Sequence, residues 1–325
     1  MTEFSTIENH KNDGHASQSF RFVQLSDLHL SSPSIADPTQ LLNKRILGYL
    51  SWLRKRRLIH QRWIIDQAMN EINQLNIDHH VVTGDILHIG LENEFKQSAK
   101  WLAQFDDPKE VTIIPGNHDL YVKEKWSRSF KYWENFLIGD NNQNYNNSDD
   151  ALEKLNHLYP IVRIRNQVAF IGVSSVFEAP WFRATGFINR NQLARLKEIL
   201  NSSRLRDYCK ILLVHHPITP TQTKPRKCLV NHDELTDLLC ESPVDLVLHG
   251  HEHKTSIEHL ITNSSTKIPI VGIASTSNTS QKDNYQAEFA LYDVCQNNPS
   301  WNIEMHSYKF DTHKQKFKQS FSKLL

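Results

Sequence analysis

The sequence predicts an α/β fold, a layered sandwich of sheet and helix built as a single domain over residues 19–311. Three observations carry this. Short apolar, β-branched runs recur along the 325 residues. The early runs alternate with stretches of helical period, and the later ones are mostly strands bounded by turn residues.

Phe20–Leu25 (FRFVQL) reads as the first strand. From about Leu58 to Leu75, the residues Ile64, Ile65, Ala68, Met69, Ile72 and Leu75 fall on one face, which predicts a helix. Val81–Val82 ends a second strand, Phe95–Phe105 reads as a helix, and Val111–Ile114 as a third strand. This β-α-β-α-β order implies parallel strands with crossover helices. In the second half, Val162–Ile164 and Val168–Val173 read as a hairpin-type pair. Then come a helix near Asn191–Leu200, a strand at Lys210–Val214, a helix near Asp233–Leu239 and a strand at Leu246–Leu248. The segments at Ile257–Ile261, Ile268–Ile273, Ala287–Val294 and Ile303–Tyr308 are expected to build a second, largely antiparallel sheet.

Three stretches lie outside this core. Residues 1–18 are polar and expected to be a disordered tail. Residues 139–150 (GDNNQNYNNSDD) read as an exposed loop. Residues 312–325 read as a basic tail in which Phe317, Phe321, Leu324 and Leu325 stand at helical spacing.

Composition narrows the function. Lys and Arg (37) nearly balance Asp and Glu (36), and a net charge of +1 argues against a protein that wraps nucleic acid. Four scattered cysteines without a Cys-x-x-Cys pair suit free thiols in a reducing compartment. With no signal-like leader and no membrane-length apolar run, a cytoplasmic protein is expected. Eighteen histidines are many for this length, and four of them fall in two tight groups, at 215–216 and 251–253.

Five polar motifs follow strands: Asp27-Leu28-His29, Gly84-Asp85, Gly116-Asn117-His118-Asp119, His215-His216-Pro217 and Gly250-His251-Glu252-His253. In open α/β sheets such loops converge outside the carboxyl ends of the strands. Carboxylate, amide and imidazole donors without thiolate suit Mn, Fe or Zn better than Ca or Mg. An Asp shared by two cations holds them about 3.5–4 Å apart and acidifies a shared water.

With these motifs the sequence resembles the calcineurin-like metallophosphoesterases over roughly residues 20 to 310, nearest to the bacterial class III cyclic-nucleotide phosphodiesterases. The resemblance implies a four-layer αββα sandwich of two mixed β-sheets flanked by helices, with a dinuclear metal site at the strand C-terminal ends. It implies that Asp27, His29, Asp85 and His253 hold one divalent cation, and Asp85, Asn117, His215 and His251 the other. His215 rather than His216 is the expected ligand. Asn117 and His118 would contact substrate, with His118 as the catalytic proton donor and Asp119 orienting its neighbours. The implied reaction is hydrolysis of a phosphodiester or phosphoanhydride by a hydroxide bridging the cations, on a nucleotide or nucleotide-linked substrate.

Departures from subfamily patterns matter as well. Gly84-Asp85-Ile86-Leu87-His88-Ile89-Gly90 lacks the Asp-Arg-Gly of protein Ser/Thr phosphatases. His118 stands where the familiar UDP-2,3-diacylglucosamine hydrolases carry Arg. A pyrophosphatase of a nucleotide-linked lipid stays the enzymatic alternative, and a non-catalytic scaffold the alternative of another class. Residues 41–63 interleave Lys44, Arg45, Arg54, Lys55, Arg56, Arg57 and Arg62 with Leu, Tyr and Trp. They read either as a solvated extension of the following helix or as a flank gripping an anionic substrate or membrane surface. Lys224-Pro225-Arg226-Lys227 is a basic loop near the expected pocket that could meet a second phosphate. Oligomeric state is not legible.

Overall fold

The computed structural model describes residues 19–35, 38–140, 147–219, 223–297 and 300–325. The expected N-terminal tail and residues 141–146 of the expected polar loop lie outside them. The strands are β1 (Phe20–Leu25), β2 (His79–Val82), β3 (Val111–Ile113), β4 (Ile161–Arg165), β5 (Val168–Gly172), β6 (Cys209–Leu213), β7 (Leu246–His249), β8 (Ser256–Ile261), β9 (Lys267–Gly272), β10 (Glu288–Asn297), β11 (Ser300–Asp311) and β12 (Lys316–Leu324). The helices are α1 (Arg45–Ser51), α2 (Arg57–Ile59), α3 (Arg62–Ile72), α4 (Glu92–Phe105), α5 (Glu134–Leu137), α6 (Ala151–Leu158), α7 (Arg190–Leu200) and α8 (His232–Glu241).

Two mixed six-stranded sheets result, in the orders β12-β11-β10-β1-β2-β3 and β4-β5-β6-β7-β9-β8. Parallel pairing of β1 with β2 and of β2 with β3 follows from the crossovers through α3 and α4. The sheets meet face to face. Phe22 on β1 packs edge-on against Phe170 on β5 at 5.1 Å, and stacks on Tyr292 of β10 at 4.7 Å. Alternation along β5 sends Ala169 and Ile171 to the opposite side, among Leu193, Leu196 and Leu200 of α7 and Leu235 and Leu239 of α8. Ile64, Ile65, Ala68 and Ile72 of α3 and Phe95 and Leu102 of α4 join the main core with the first sheet. The αββα layering therefore stands as expected.

Three readings of the sequence need correcting. The second sheet is not largely antiparallel: β5, β6, β7 and β9 run parallel, and only β4 and β8 at its edges are antiparallel. The late strands β10–β12 instead return to the first sheet beside β1. The C-terminal segment is no helix and no tail. Its four-residue apolar spacing fits a helix turn and one face of a strand alike, and pairing with β11 decides for the strand, burying Phe317.

The third correction concerns 41–63, which does not extend the next helix. α1 runs through a π-helical turn (Trp52–Arg56) into α2, and His60 and Gln61 are then extended before α3 begins. The Gln61 N–H bonds to the Ser277 carbonyl at 2.9 Å, pinning the break. Among the described residues, no helix is long and apolar enough to cross a membrane.

Candidate metal centre

All five motifs leave the carboxyl ends of β1, β2, β3, β6 and β7, and backbone bonds lace them together. The Asp27 N–H donates to Gly84 O (3.0 Å), that of His29 to Asp85 O (3.1 Å), and that of Gly250 to His215 O (3.1 Å). Close approach explains two glycines. A Cβ at Gly116 would run into the backbone and carboxylate of Asp85, and one at Gly250 into Ser26 Oγ and Asp27 Oδ2. Five of the expected ligands hold left-handed backbone: Asp27 (φ 50°), His29 (44°), Asp85 (55°), His251 (73°) and His253 (51°). For residues with a Cβ this costs on the order of 1–2 kcal/mol each.

These residues meet. Donor atoms of Asp27, His29, Asp85 and His253 lie within 4.8 Å of one another, as do those of His215, His216 and His251. His253 Nε2 is 3.2 Å from Asp27 Oδ1, and His215 Nε2 is 3.4 Å from Asp85 Oδ1 and 3.3 Å from Asn117 Oδ1. The other ring nitrogens are oriented by carbonyls: His29 Nδ1–H donates to Leu87 O (2.6 Å) and His215 Nδ1–H to Thr83 O (2.7 Å). Among the described residues, His29 Nε2 and both ring nitrogens of His251 are buried without a hydrogen-bond partner. Buried polar atoms are rarely left so. Cations would engage them, so the donor set fits the divalent pair that the sequence implies.

Burial alone would raise the Asp85 carboxyl, yet the surrounding His215, His118 and His29 hold it well below the usual carboxylate range. Asp119 has a clear task. Its buried carboxylate accepts from the backbone N–H groups of Gly116 (2.8 Å), Leu87 (2.9 Å) and Asp85 (3.0 Å), fixing two ligand loops to each other. Burial and the neighbouring Asp85 push it up to about 8.

His118 is buried, and its backbone N–H donates to Asp85 Oδ1 at 2.8 Å. The His88 carbonyl, 2.5 Å away, can only accept, so the His118 Nδ1 carries a proton and Nε2 is left for chemistry. A terminal guanidinium nitrogen of Arg56 lies 3.1 Å from Nδ1 and 2.9 Å from Nε2. An atom that close to both nitrogens sits over the ring face rather than along either lone pair. Burial, then Arg56, push His118 down to about 3.

Sequence reasoning missed three neighbours. Arg56 was one charge in a basic run that could grip an anionic substrate, and it lies in a π-helical turn, a feature frequent at functional sites. His60 packs 4.3 Å from the His29 ring, and His88 stacks on His29 at 4.9 Å. Neither histidine sits in a motif that could have given it away. Of the remaining basic residues in 41–63, Arg45 is buried on Ile89 O, Gly90 O and Glu124, while Arg54, Lys55, Arg57 and Arg62 face solvent.

A double-sheet sandwich with this His/Asp cluster defines a metal-binding phosphoesterase, and the chain belongs to the calcineurin-like phosphoesterase family, whose pattern matches residues 20–255. It is 22% identical over 240 residues to a protein named as a probable cyclic nucleotide phosphodiesterase from Vesicomyosocius okutanii subsp. Calyptogena okutanii (strain HA), covering 73% of this chain and 80% of the relative. In three dimensions it is similar to a dimetal phosphatase from Danio rerio. That likeness has a TM-score of 0.56 at 13% identity and covers 94% of this chain and 98% of the other. At that identity the likeness speaks to fold alone.

Proposed function

We propose that this chain hydrolyses a phosphodiester or phosphoanhydride bond in a small nucleotide or nucleotide-linked substrate, using two divalent cations. One observation carries the proposal: histidine nitrogens on converging loops are buried without partners among the described residues, within reach of two carboxylates. Asp27, His29, Asp85 and His253 would hold one cation, and Asp85, Asn117, His215 and His251 the other. His215 is chosen over His216 because its Nε2 faces Asp85 Oδ1 at 3.4 Å and Asn117 Oδ1 at 3.3 Å. The mixed imidazole and carboxylate set favours Mn, Fe or Zn. Bound there, such a pair supplies Lewis acidity and an acidified water.

The chain's own groups do the rest. Arg56 and Asn117 border the cleft over the ligands and would grip the non-bridging oxygens of the phosphoryl group. His118 would protonate the leaving oxygen from Nε2. Burial and Arg56 hold His118 down in the substrate-free protein, so Nε2 would take its proton from solvent as the anionic substrate binds and its charge offsets Arg56. The likeness to the Vesicomyosocius protein supports a nucleotide diester as the substrate class.

Replacing His118 by Asn tests this reading. The variant should keep its metals and lose on the order of 10²–10⁴ in rate toward alkyl esters, the usual worth of a general acid. The loss should shrink for p-nitrophenyl esters, whose leaving group departs unprotonated. Equal losses for good and poor leaving groups would remove His118 from the acid role.

A further inference from the structure

Beside the metal cleft, and sharing Ser51, Arg56, Asn117, His118, Ala184 and Lys227 with it, lies a second cavity of about 350 Å³. Its wall carries five cations, Lys44, Arg56, Arg183, Arg226 and Lys227, and no carboxylate among the described residues. On a chain whose charges sum to +1, that is a strong local imbalance.

The five are not equivalent. Lys44 Nζ is committed to the carbonyls of Ala179 (3.1 Å) and Arg183 (3.0 Å), tying the 179–183 stretch to the segment before α1. Lys227 faces Glu252 at 3.4 Å, and Arg56 lies on His118. The side chains of Arg183 and Arg226 have no hydrogen-bond or ion-pair partner among the described residues. Their two loops are held together, since the Ala184 N–H donates to Arg226 O at 2.9 Å. Two guanidinium groups thus line one cavity from loops bonded to each other, and forked donors of this kind suit a phosphate.

We infer that Arg183 and Arg226 form a subsite for a second phosphate. The preferred ligand then carries two phosphates, as a nucleoside diphosphate or pyrophosphate-linked nucleotide does, with one phosphate at the metal centre and the other in the basic cavity. This deepens the proposed function and rests on its placement of the first phosphate.

Calorimetric titration of the metal-loaded protein with AMP and with the uncleavable α,β-methylene analogue of ADP tests the subsite. The native protein should bind the diphosphate at least about tenfold more tightly, the worth of one good charge-assisted contact. Because both arginines are exposed, R183Q/R226Q should fold normally. It should lose about tenfold for the diphosphate and under about threefold for AMP. Equal native affinity for the two ligands, binding of neither, or a variant that keeps the preference overturns the subsite. Turnover of bis(p-nitrophenyl) phosphate by the native protein reads the metal centre separately. If turnover were absent while the diphosphate preference held, the hydrolytic reading would fall and the anion site would stand.

Discussion

Five of the ten non-glycine residues that hold left-handed backbone among the described residues are ligand candidates, so part of the local strain of this fold lies at the candidate centre. Their sharp turns bring Asp, His, Asp and His donors from separate loops within reach of one another. Arg56 stands out among the residues around them, because it joins the centre from outside every motif. If it grips the phosphoryl group, Arg56→Met should lower kcat/KM by about 10²–10³, as removing an oxyanion donor does, while metal content stays native. A loss below about threefold would reduce Arg56 to a packing group on His118. Asp27, His29, Asp85, Asn117, His215, His251 and His253 are legible as ligand candidates because their types and order form a pattern. Arg56, His60 and His88 were not, since what places them is a helix irregularity and ring packing between distant segments. No spacing rule encodes either.

Elements show the same divide. The β-α-β-α-β order of the first half was readable because crossover length and period agree, and β1 to β3 fall where that pattern puts them. β12 was not readable, because a four-residue spacing of Phe317 and Phe321 serves two periodicities equally. Only the availability of β11 as a partner resolves it. The segment before α3 failed for a related reason, as helical periodicity runs on across His60 although tertiary bonds to Ser277 and Asn278 break it. Phe317 is 1% exposed and packs against Phe289 and Phe310 with ring centroids 5.2 and 5.3 Å away. Phe317→Ala should therefore destabilise the protein by about 3–5 kcal/mol in urea titration. A shift under about 1 kcal/mol would mean that this strand is a dispensable appendage.

At the scale of the whole molecule, two sheets packed through Phe22, Phe170 and Tyr292 align the ends of five strands from both sheets at one rim. The first sheet supplies Asp27, His29, Asp85, Asn117 and His118. The second supplies His215, His251 and His253. The candidate centre thus straddles the seam, and Asp85 from the first sheet faces His215 from the second at 3.4 Å. Neither sheet alone carries the whole proposed donor set, so metal binding there should couple the two halves and raise the melting temperature by mass action. The central claim is that this seam holds two cations which together hydrolyse phosphate esters. It is tested most directly by counting metals per chain in native protein and in Asp85→Ala, with bis(p-nitrophenyl) phosphate turnover measured on the same samples. The account predicts two divalent cations in the native protein, activity lost on chelation and restored by Mn, and a variant depleted in both metal and turnover. Two metals retained by Asp85→Ala, or full turnover by metal-free native protein, would contradict it.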